Sequence, residues 1–535
     1  MSDGQLMDSV HPIVTALETA DVELATATLR SLLSAHEYET AVDLMTRWSG
    51  RFDDDADYLK VRRAILGKLG ELSDALLVNH RLAGLKAVTE SSLAGLEGRV
   101  REMGGHAPRL PGPRRPIRPA SEKRIVHLVK ESRPYLSNGF TSRSHSNFLA
   151  EKKAGLEPII VTEPGFPRSV LGSLPRSEMR VDGVGHYFLD LGRDLEALPV
   201  DRFLQIFADM AYERVSKIRP AAIHVSSGRR GYETALVALA IKEKTGIPVI
   251  YEVRSFFESN WTGEVRYEAQ GEIYESRRRI ELECMQRADL VLTIGESMKD
   301  EIVARGIPEE KVGLVPNGVY VERFAPRDRS AELATSHGLA GVPTFGYVSN
   351  MDHYRESQET LIAAAAHLAR EGRPEHCVLV GDGPRRDKLE RLAESYGVAD
   401  RVHFLGRVDH ELIADYYSLI DVFVVPRTAE RAATFVTPLK PFEAMAMRLP
   451  VVVSDLPALR EIAPSPERGW TFPPDDARGL AQVLKQVFDD PEERERRAEA
   501  GLRWVRSERQ WDHNGPRYAE ALSWVLEHAA AGKDD

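Results

Sequence analysis

VGDGPRRDKLERLAESYGVADRVHFLGRV, residues 380–408, decides how the rest of the chain is read. It continues an apolar strand, CVLVGDG (377–383), and turns through Gly-Asp-Gly-Pro into an amphipathic helix. It emerges in a second strand, RVHFLG (401–406). Strand, helix and strand joined by short turns form a crossover unit, and such units build parallel sheets covered on both faces. The alternation extends outward from there. TFGYVS (344–349) precedes the unit, and DVFVVP (421–426) and PVVVSD (450–455) follow it. An earlier series runs through RIVHLV (124–129), PIIVT (158–162), AAIHVS (221–226), PVIYEV (248–253), DLVLTI (289–294) and KVGLVP (311–316). Helical runs such as 231–244 and 273–288 lie between its strands. The prediction is an α/β chain with two tandem Rossmann-like, doubly wound domains, residues 121–325 and 326–515. Their ligands belong at the carboxyl ends of the strands, with the active site in the cleft between domains.

Upstream the texture changes. Residues 1–103 read as helices only, without a proline between Pro12 and Pro108. AHEYETAVDLMTRW superimposes on LGELSDALLVNHRL, with Tyr38 on Leu72 and Ala41 on Ala75, an offset of 34 residues. That is the period of tetratricopeptide-type hairpins, a place for a protein partner to dock; the alternative is a generic helical bundle that packs on the rest of the chain or mediates self-association. Residues 104–120 (GGHAPRLPGPRRPIRPA) carry five prolines, which forbid helix and favour extended geometry, so a linker is expected. Its arginines, Arg109, Arg114, Arg115 and Arg118, suit either a solvated run or a contact with acceptor phosphate or with anionic lipid on the inner membrane face.

The 535 residues hold 71 Lys and Arg against 82 Asp and Glu, a net charge of −11. A nucleic-acid-binding domain has a basic footprint, so nucleic acid is not expected as a partner. The start, MSDGQLMDSV, lacks the basic-then-apolar pattern of a secretory leader. LIAAAAHL (361–368) is far shorter than the roughly 18–20 residues that span a bilayer. A cytoplasmic protein is expected. Cys284 and Cys377 stand in separate segments, which speaks against a disulfide scaffold or a thiolate metal cage. Neither a P-loop nor GxGxxG occurs, so a kinase, ATPase or ordinary dehydrogenase is disfavoured. Asp53 to Asp55 read as a helix N-terminus rather than a metal site. No metal and no cofactor are expected.

The passages that carry chemistry are residues 380–408, then VTPLKPFEAMAMRLPVVVSD (436–455), with PNGV (316–319) closing the first series. In this arrangement they resemble the retaining nucleotide-sugar glycosyltransferases of the GT-B fold, family four, over roughly residues 121–515. The resemblance implies that a UDP- or GDP-sugar donor sits mainly in the second domain, beside the turn that contains Gly383. It also implies that Glu443 holds the donor ribose. Past Pro438, the Leu439 and Lys440 amides and the Lys440 cation would meet the diphosphate at a helix start. Arg427, at the end of DVFVVP, reads as a second cation or a surface arginine. The family's first glutamate falls at 435, where this chain has Phe435; Glu430 lies five residues earlier. Asn350 and Arg355 stand where an arginine and a lysine are usual. In the first domain, Gly139 opens a helix start near residues 141–146 and lets the backbone approach a phosphate or sugar. His224 occupies the place of a histidine near the reacting sugar, or is a satisfied buried histidine. Glu252 and Arg254 read as a cleft-lining pair or a structural ion pair. Residues 256–270 read as an acceptor lid or as ordinary loop packing. Residues 516–535 would form a helix crossing back to the first domain. The function implied is transfer to a hydroxyl of a glycan, lipid or surface-protein precursor. A non-catalytic binding or scaffold protein of the same fold is the alternative.

Overall fold

The computed structural model describes residues 19–228, 231–409 and 411–531. The first eighteen residues, which include the start read above as lacking a leader, and the last four lie outside this range. Among the described residues, five helices come first: Val22–Ser34, Tyr38–Arg47, Ala56–Leu69, Leu72–Gly84 and Glu90–Met103. Val22 and Ala56 start the first helix of successive hairpins, and Tyr38 and Leu72 the second, at the offset seen in the sequence. Ala41 and Ala75 are buried, where a small side chain lets helices approach. Asp55 caps the third helix by accepting from the Tyr58 amide at 2.8 Å, and Asp53 pairs with Arg62. The acidic run is thus a helix start.

The proline-rich stretch is extended but is not a free tether. Arg115 donates its amide to Lys244 O at 2.7 Å, Ile117 to Thr245 O at 3.2 Å and Ala120 to Arg219 O at 2.8 Å. Leu110 and Ile117 pack on the core of the first α/β domain. Proline density dictates extended backbone, and extended backbone with free carbonyls and amides can dock on a domain's edge.

The first sheet contains β1 (Arg124–Val129), β2 (Glu157–Thr162), β3 (Glu178–Val181), β4 (Val184–Phe188), β5 (Ala222–Ser226), β6 (Val249–Val253), β7 (Leu290–Thr293) and β8 (Val312–Leu314). Their order is β3-β4-β2-β1-β5-β6-β7-β8, parallel except for β3. The second sheet contains β9 (Thr344–Val348), β10 (His376–Val380), β11 (Val402–Gly406), β12 (Val422–Val425), β13 (Val451–Ser454) and β14 (Trp470–Phe472). It is parallel, in the order β11-β10-β9-β12-β13-β14. The eleven strands read from apolar runs are present within three residues of their expected ends, the largest gap being CVLVGDG (377–383), whose strand stops at Val380. The β3–β4 hairpin and β14 were not foreseen.

Two chain crossings join the domains side by side. Val319 N, on the way out, donates to Arg509 O, on the way back, at 2.7 Å. The returning helix, Asn514–Ala531, begins two residues before the expected boundary at 516. It lays Tyr518, Ala521, Leu522 and Val525 against Ile125, Ile250 and Leu290 of the first sheet. At about 1.5–3 kcal/mol for each large apolar side chain buried, those contacts suffice to hold one helix in place.

Candidate active site

The carboxyl ends of β9, β10 and β12 converge on the start of the helix Lys440–Ala446. The chain leaves β9 through Ser349 to Asp352 and leaves β10 through Gly381 to Gly383. These two loops touch backbone to backbone. A Cβ on Gly381 (φ +137°) would stand 1.9 Å from Ser349 O, and one on Gly383 (φ +159°) 2.5 Å from the Met351 carbonyl carbon. Only glycine fits both places. Gly383, expected at the donor, therefore spends its missing side chain on the neighbouring loop, which it fixes from behind.

After that loop, a 3-10 turn, Tyr354–Glu356, places Glu356 beneath the two expected cations. Arg427 Nη2 donates to Glu356 Oε1 at 3.0 Å, and Lys440 Nζ lies 3.9 Å from Oε2. The Tyr347 hydroxyl also donates to this carboxylate. Burial works to raise the Glu356 carboxyl, but Arg427 and then Lys440 outweigh it and hold it at about 2. Arg427 also donates from Nη1 to Val436 O at 3.0 Å and is 8% exposed. It is a buried strut rather than a cation open to a ligand, which corrects its expected role. Lys440 is partly exposed; burial lowers its ammonium from the ordinary lysine range, and Glu356 partly offsets that. Lys440 is thus more open to solvent than Arg427.

Glu443 sits one turn into the helix, where its Oε2 accepts from the Tyr417 hydroxyl at 2.6 Å. Burial raises its carboxyl above the usual range. Oε1 makes no hydrogen bond among the described residues. Pro438 is buried, and Leu439 caps the helix with backbone already helical (φ −77°, ψ −33°) and without a side-chain cap. Arg355 is half-buried, with Nε 3.2 Å from His353 Nδ1 and Nη1 4.0 Å from Glu430. Glu430 does not replace the acid missing at 435. It caps the helix Arg431–Phe435 by accepting from the Ala433 amide at 3.1 Å. Phe435 turns its ring to Phe256 of the first domain, 5.6 Å between centroids. Between Phe256 and the solvent lies Arg431, whose Nε reaches Glu258 at 3.0 Å across the domain boundary.

The first domain corrects three expectations. His224 is buried beside His127, its register partner on the neighbouring strand, with 3.0 Å between their Nδ1 atoms. Burial pushes its imidazole down to about 4, against the raising effect of Glu252. Glu252 is wholly buried and receives Arg143 at 2.7 Å, Arg254 at 2.8 Å and the Tyr518 hydroxyl at 2.8 Å. Burial would raise this carboxyl, and Arg254 and Arg143 drive it well below the usual range instead. The reason these groups do not line the cleft is the returning helix, which carries Tyr518 over them. Glu252, Arg254 and His224 are thus an internal network, in which His224 Nε2 lies 3.0 Å from Glu252 Oε2 without forming a hydrogen bond. Gly139, by contrast, is exposed at the first position of its helix, Gly139–Lys153, with nothing within 4 Å of where a Cβ would stand. Asn138 and Thr141 form a capping box there, so the helix opens earlier than expected.

Two family models fall on this architecture. Residues 150–318 match the glycosyl transferase 4-like domain, and residues 342–490 match glycosyl transferases group 1. The chain belongs to the group 1 glycosyltransferases. An α-D-kanosaminyltransferase of Streptomyces kanamyceticus is 32% identical over 223 residues, 41% of this chain and 56% of that protein. A GDP-mannose-dependent α-(1-6)-phosphatidylinositol monomannoside mannosyltransferase of Mycolicibacterium smegmatis is 28% identical over 239 residues, 44% and 62% respectively. The chain thus spans little more than half of these relatives' lengths. In fold it is similar to the sucrose-phosphate synthase of Thermosynechococcus elongatus (TM-score 0.61, 21% identity, 76% of this chain and 99% of that one). It is also similar to Anabaena Alr3699/HepE in complex with UDP and glucose (TM-score 0.57, 16% identity, 75% and 99%). Neither family model reaches the helices between Val22 and Met103.

Reading the sequence alone missed Glu356, Tyr347 and Tyr417. No local pattern marks them, since Glu356 matters only because β12 and the 440–446 helix bring cations to it. Asn317, in the PNGV motif, was quoted without a role. It accepts from Arg143 at 2.7 Å and donates to Thr437 O at 2.8 Å, tying the buried network to the turn before Lys440.

Proposed function

We propose that the chain is a metal-independent retaining glycosyltransferase working in the cytoplasm on a UDP- or GDP-sugar and a hydroxyl of a glycan, lipid or surface-protein precursor. The observation that carries this reading is the meeting of Lys440, the open Oε1 of Glu443 and the uncapped start of the 440–446 helix, at strand ends that face the other domain. A diphosphate there meets one ammonium and backbone dipoles, and a ribose meets a carboxylate oxygen able to accept its hydroxyls. Glycosyl transfer breaks the bond from the anomeric carbon to the diphosphate oxygen and forms one to the acceptor oxygen. The acceptor proton passes to the leaving diphosphate. The protein's share is positioning and stabilisation of the charge that grows on the leaving group. Retention rests on the family resemblance. The mannosyltransferase named above is GDP-mannose-dependent and the Anabaena protein is bound to UDP, which supports a nucleotide-sugar donor. Among the described residues, no helix is long and apolar enough to cross a membrane; the arginines of residues 104–120 suit a peripheral contact.

A second reading, a binding or scaffold protein, is favoured by Phe435 and by the Glu356 carboxylate that already pairs both cations. A panel of nucleotide-sugars offered to the full chain, scored by release of UDP or GDP with mass detection of product, separates the two. Turnover of one donor with a glycosylated product is the expected result. Nucleotide binding with no turnover of any donor would refute transfer in favour of the scaffold.

A further inference from the structure

The five N-terminal helices do not stand apart from the α/β domains. They grip one segment of the first domain, residues 261–273. Gly70 and Gly271 (both φ +79°) meet there: a Cβ on Gly70 would lie 2.9 Å from Trp261 Cη2, and one on Gly271 2.2 Å from Leu69 O. Trp261 joins Leu72, Met103 and Ile273 in a small apolar cluster. Around it, Ile273 N donates to Gly70 O at 3.1 Å, Ser73 N donates to Glu272 Oε2 at 2.7 Å, and His36 Nδ1 lies 2.5 Å from Glu264. Tyr38 packs its ring on Tyr267, 5.2 Å between centroids. Every turn of this segment is thus held from the helical side.

Its other side faces the donor domain. Glu268, 8% exposed, accepts the Tyr354 hydroxyl at 2.8 Å. Tyr354 begins the short turn that ends in Glu356, the residue that pairs Arg427 and Lys440. Arg355 lies between them, and its carbonyl accepts from Thr428 N at 3.1 Å, one residue past Arg427. A continuous set of contacts therefore runs from the helical hairpins through residues 261–273 to the cations of the donor site.

We propose that the helical region is a splint for the donor site: it fixes residues 261–273 so that Glu268 holds Tyr354, and Tyr354 holds the loop that sets Glu356 against Arg427 and Lys440. Glu268 and Tyr354 are positioning residues, and the inference rests on the donor reading above. The glycine contacts allow little slack, because moving the segment by an ångström would drive Trp261 or Leu69 O off its present seat. A hydroxyl-to-carboxylate bond across the boundary is strong enough to select one loop geometry.

The test measures backbone hydrogen exchange of residues 350–358 in the full chain without ligand, together with donor KM and kcat. Tyr354→Phe should speed exchange there about tenfold and raise donor KM about tenfold, with kcat changed less than about threefold. Glu268→Gln, whose amide oxygen still accepts from the hydroxyl, should match the unaltered chain. On the helical side, Trp261→Ala should reproduce the Tyr354→Phe exchange, and combining the two should add nothing further. If Trp261→Ala does not fold, Glu272→Ala, which removes only the grip of Ser73, decides by the same readout. Unchanged exchange at 350–358 in the helix-side variants overturns the splint. Should no nucleotide-sugar be turned over at all, the donor reading falls, while the exchange measurement still decides the splint.

Discussion

Replacing Glu356 by glutamine should cost more stability than any single change at the mouth of the site. The carboxylate sits at about 2 in the folded chain against an ordinary 4.5, and at about 1.4 kcal/mol per tenfold that is about 3 kcal/mol favouring its charged form. Because the folded value is the lower one, this contribution is fully present above pH 4.5 and is lost as the pH falls towards 2. Glutamine keeps the shape but leaves the Arg427 guanidinium buried without a counter-charge. Breaking a buried pair from one side typically costs about 3–5 kcal/mol. The two estimates meet near 3 kcal/mol, which for a domain of this size lowers Tm by roughly 6–12 °C. Calorimetry on the full chain at pH 7 reads this directly. Inorganic pyrophosphate supplies a second arm, since partly exposed Lys440 loses its carboxylate counter-charge, and an anion beside it should stabilise Glu356→Gln more than the unaltered chain. At a hundred times its Kd it would add about 2.7 kcal/mol. A variant that melts within about 1 °C of the parent, with or without pyrophosphate, would refute the view that this carboxylate holds the cations.

Lys440→Ala should depress turnover about 10²–10³-fold while donor affinity changes far less, because the charge it faces grows as the bond breaks; steady-state kinetics beside nucleotide calorimetry checks the split. Glu443→Gln should weaken nucleotide binding by about 1–3 kcal/mol, and Tyr417→Phe, which removes only the hydroxyl that orients it, should weaken it less. His224, held at about 4 by burial, stays neutral in the folded chain while its unfolded counterpart takes a proton below about 6.5. Stability should therefore fall between pH 6.5 and 4, and His224→Asn should flatten that slope in denaturant titrations. Deleting residues 1–103 should give an aggregating product, since it strips cover from Trp261 and Ile273; a soluble, monodisperse product in size-exclusion chromatography would contradict the packing described above.

What the sequence made legible follows from how far each signal reaches. Runs such as Val422–Val425 and Val451–Ser454 are buried on both faces, so their apolar character is continuous and local. The β3–β4 hairpin has instead one exposed and one buried face, and its signal is the Asp182-Gly183 pair, both at positive φ, that turns it. β14 is three residues long and offers no period at all. Lys440, Glu443 and Arg427 could be picked out because strand ends and helix starts are recognisable in a sequence. Whether they are free could not. The partner that occupies Arg427 comes from a loop 71 residues away, and the hydroxyl that closes over Glu252 comes from 266 residues away. Prolines announced an extended stretch at 104–120 but carried no word of the edge on which it lies.

The paired crossings have a consequence for how such a chain came to be built. The polypeptide leaves the first domain at Val319 and re-enters it at Arg509, and those two points are hydrogen-bonded neighbours. Topologically, everything between them is a cassette spliced into a domain whose own last helix comes after the cassette. A cassette with adjoining ends can be lengthened, exchanged or rebuilt around a different nucleotide without stretching its host. The host, for its part, is finished only when the helix Asn514–Ala531 returns, so a ribosome must deliver the whole second domain before the first can close its core.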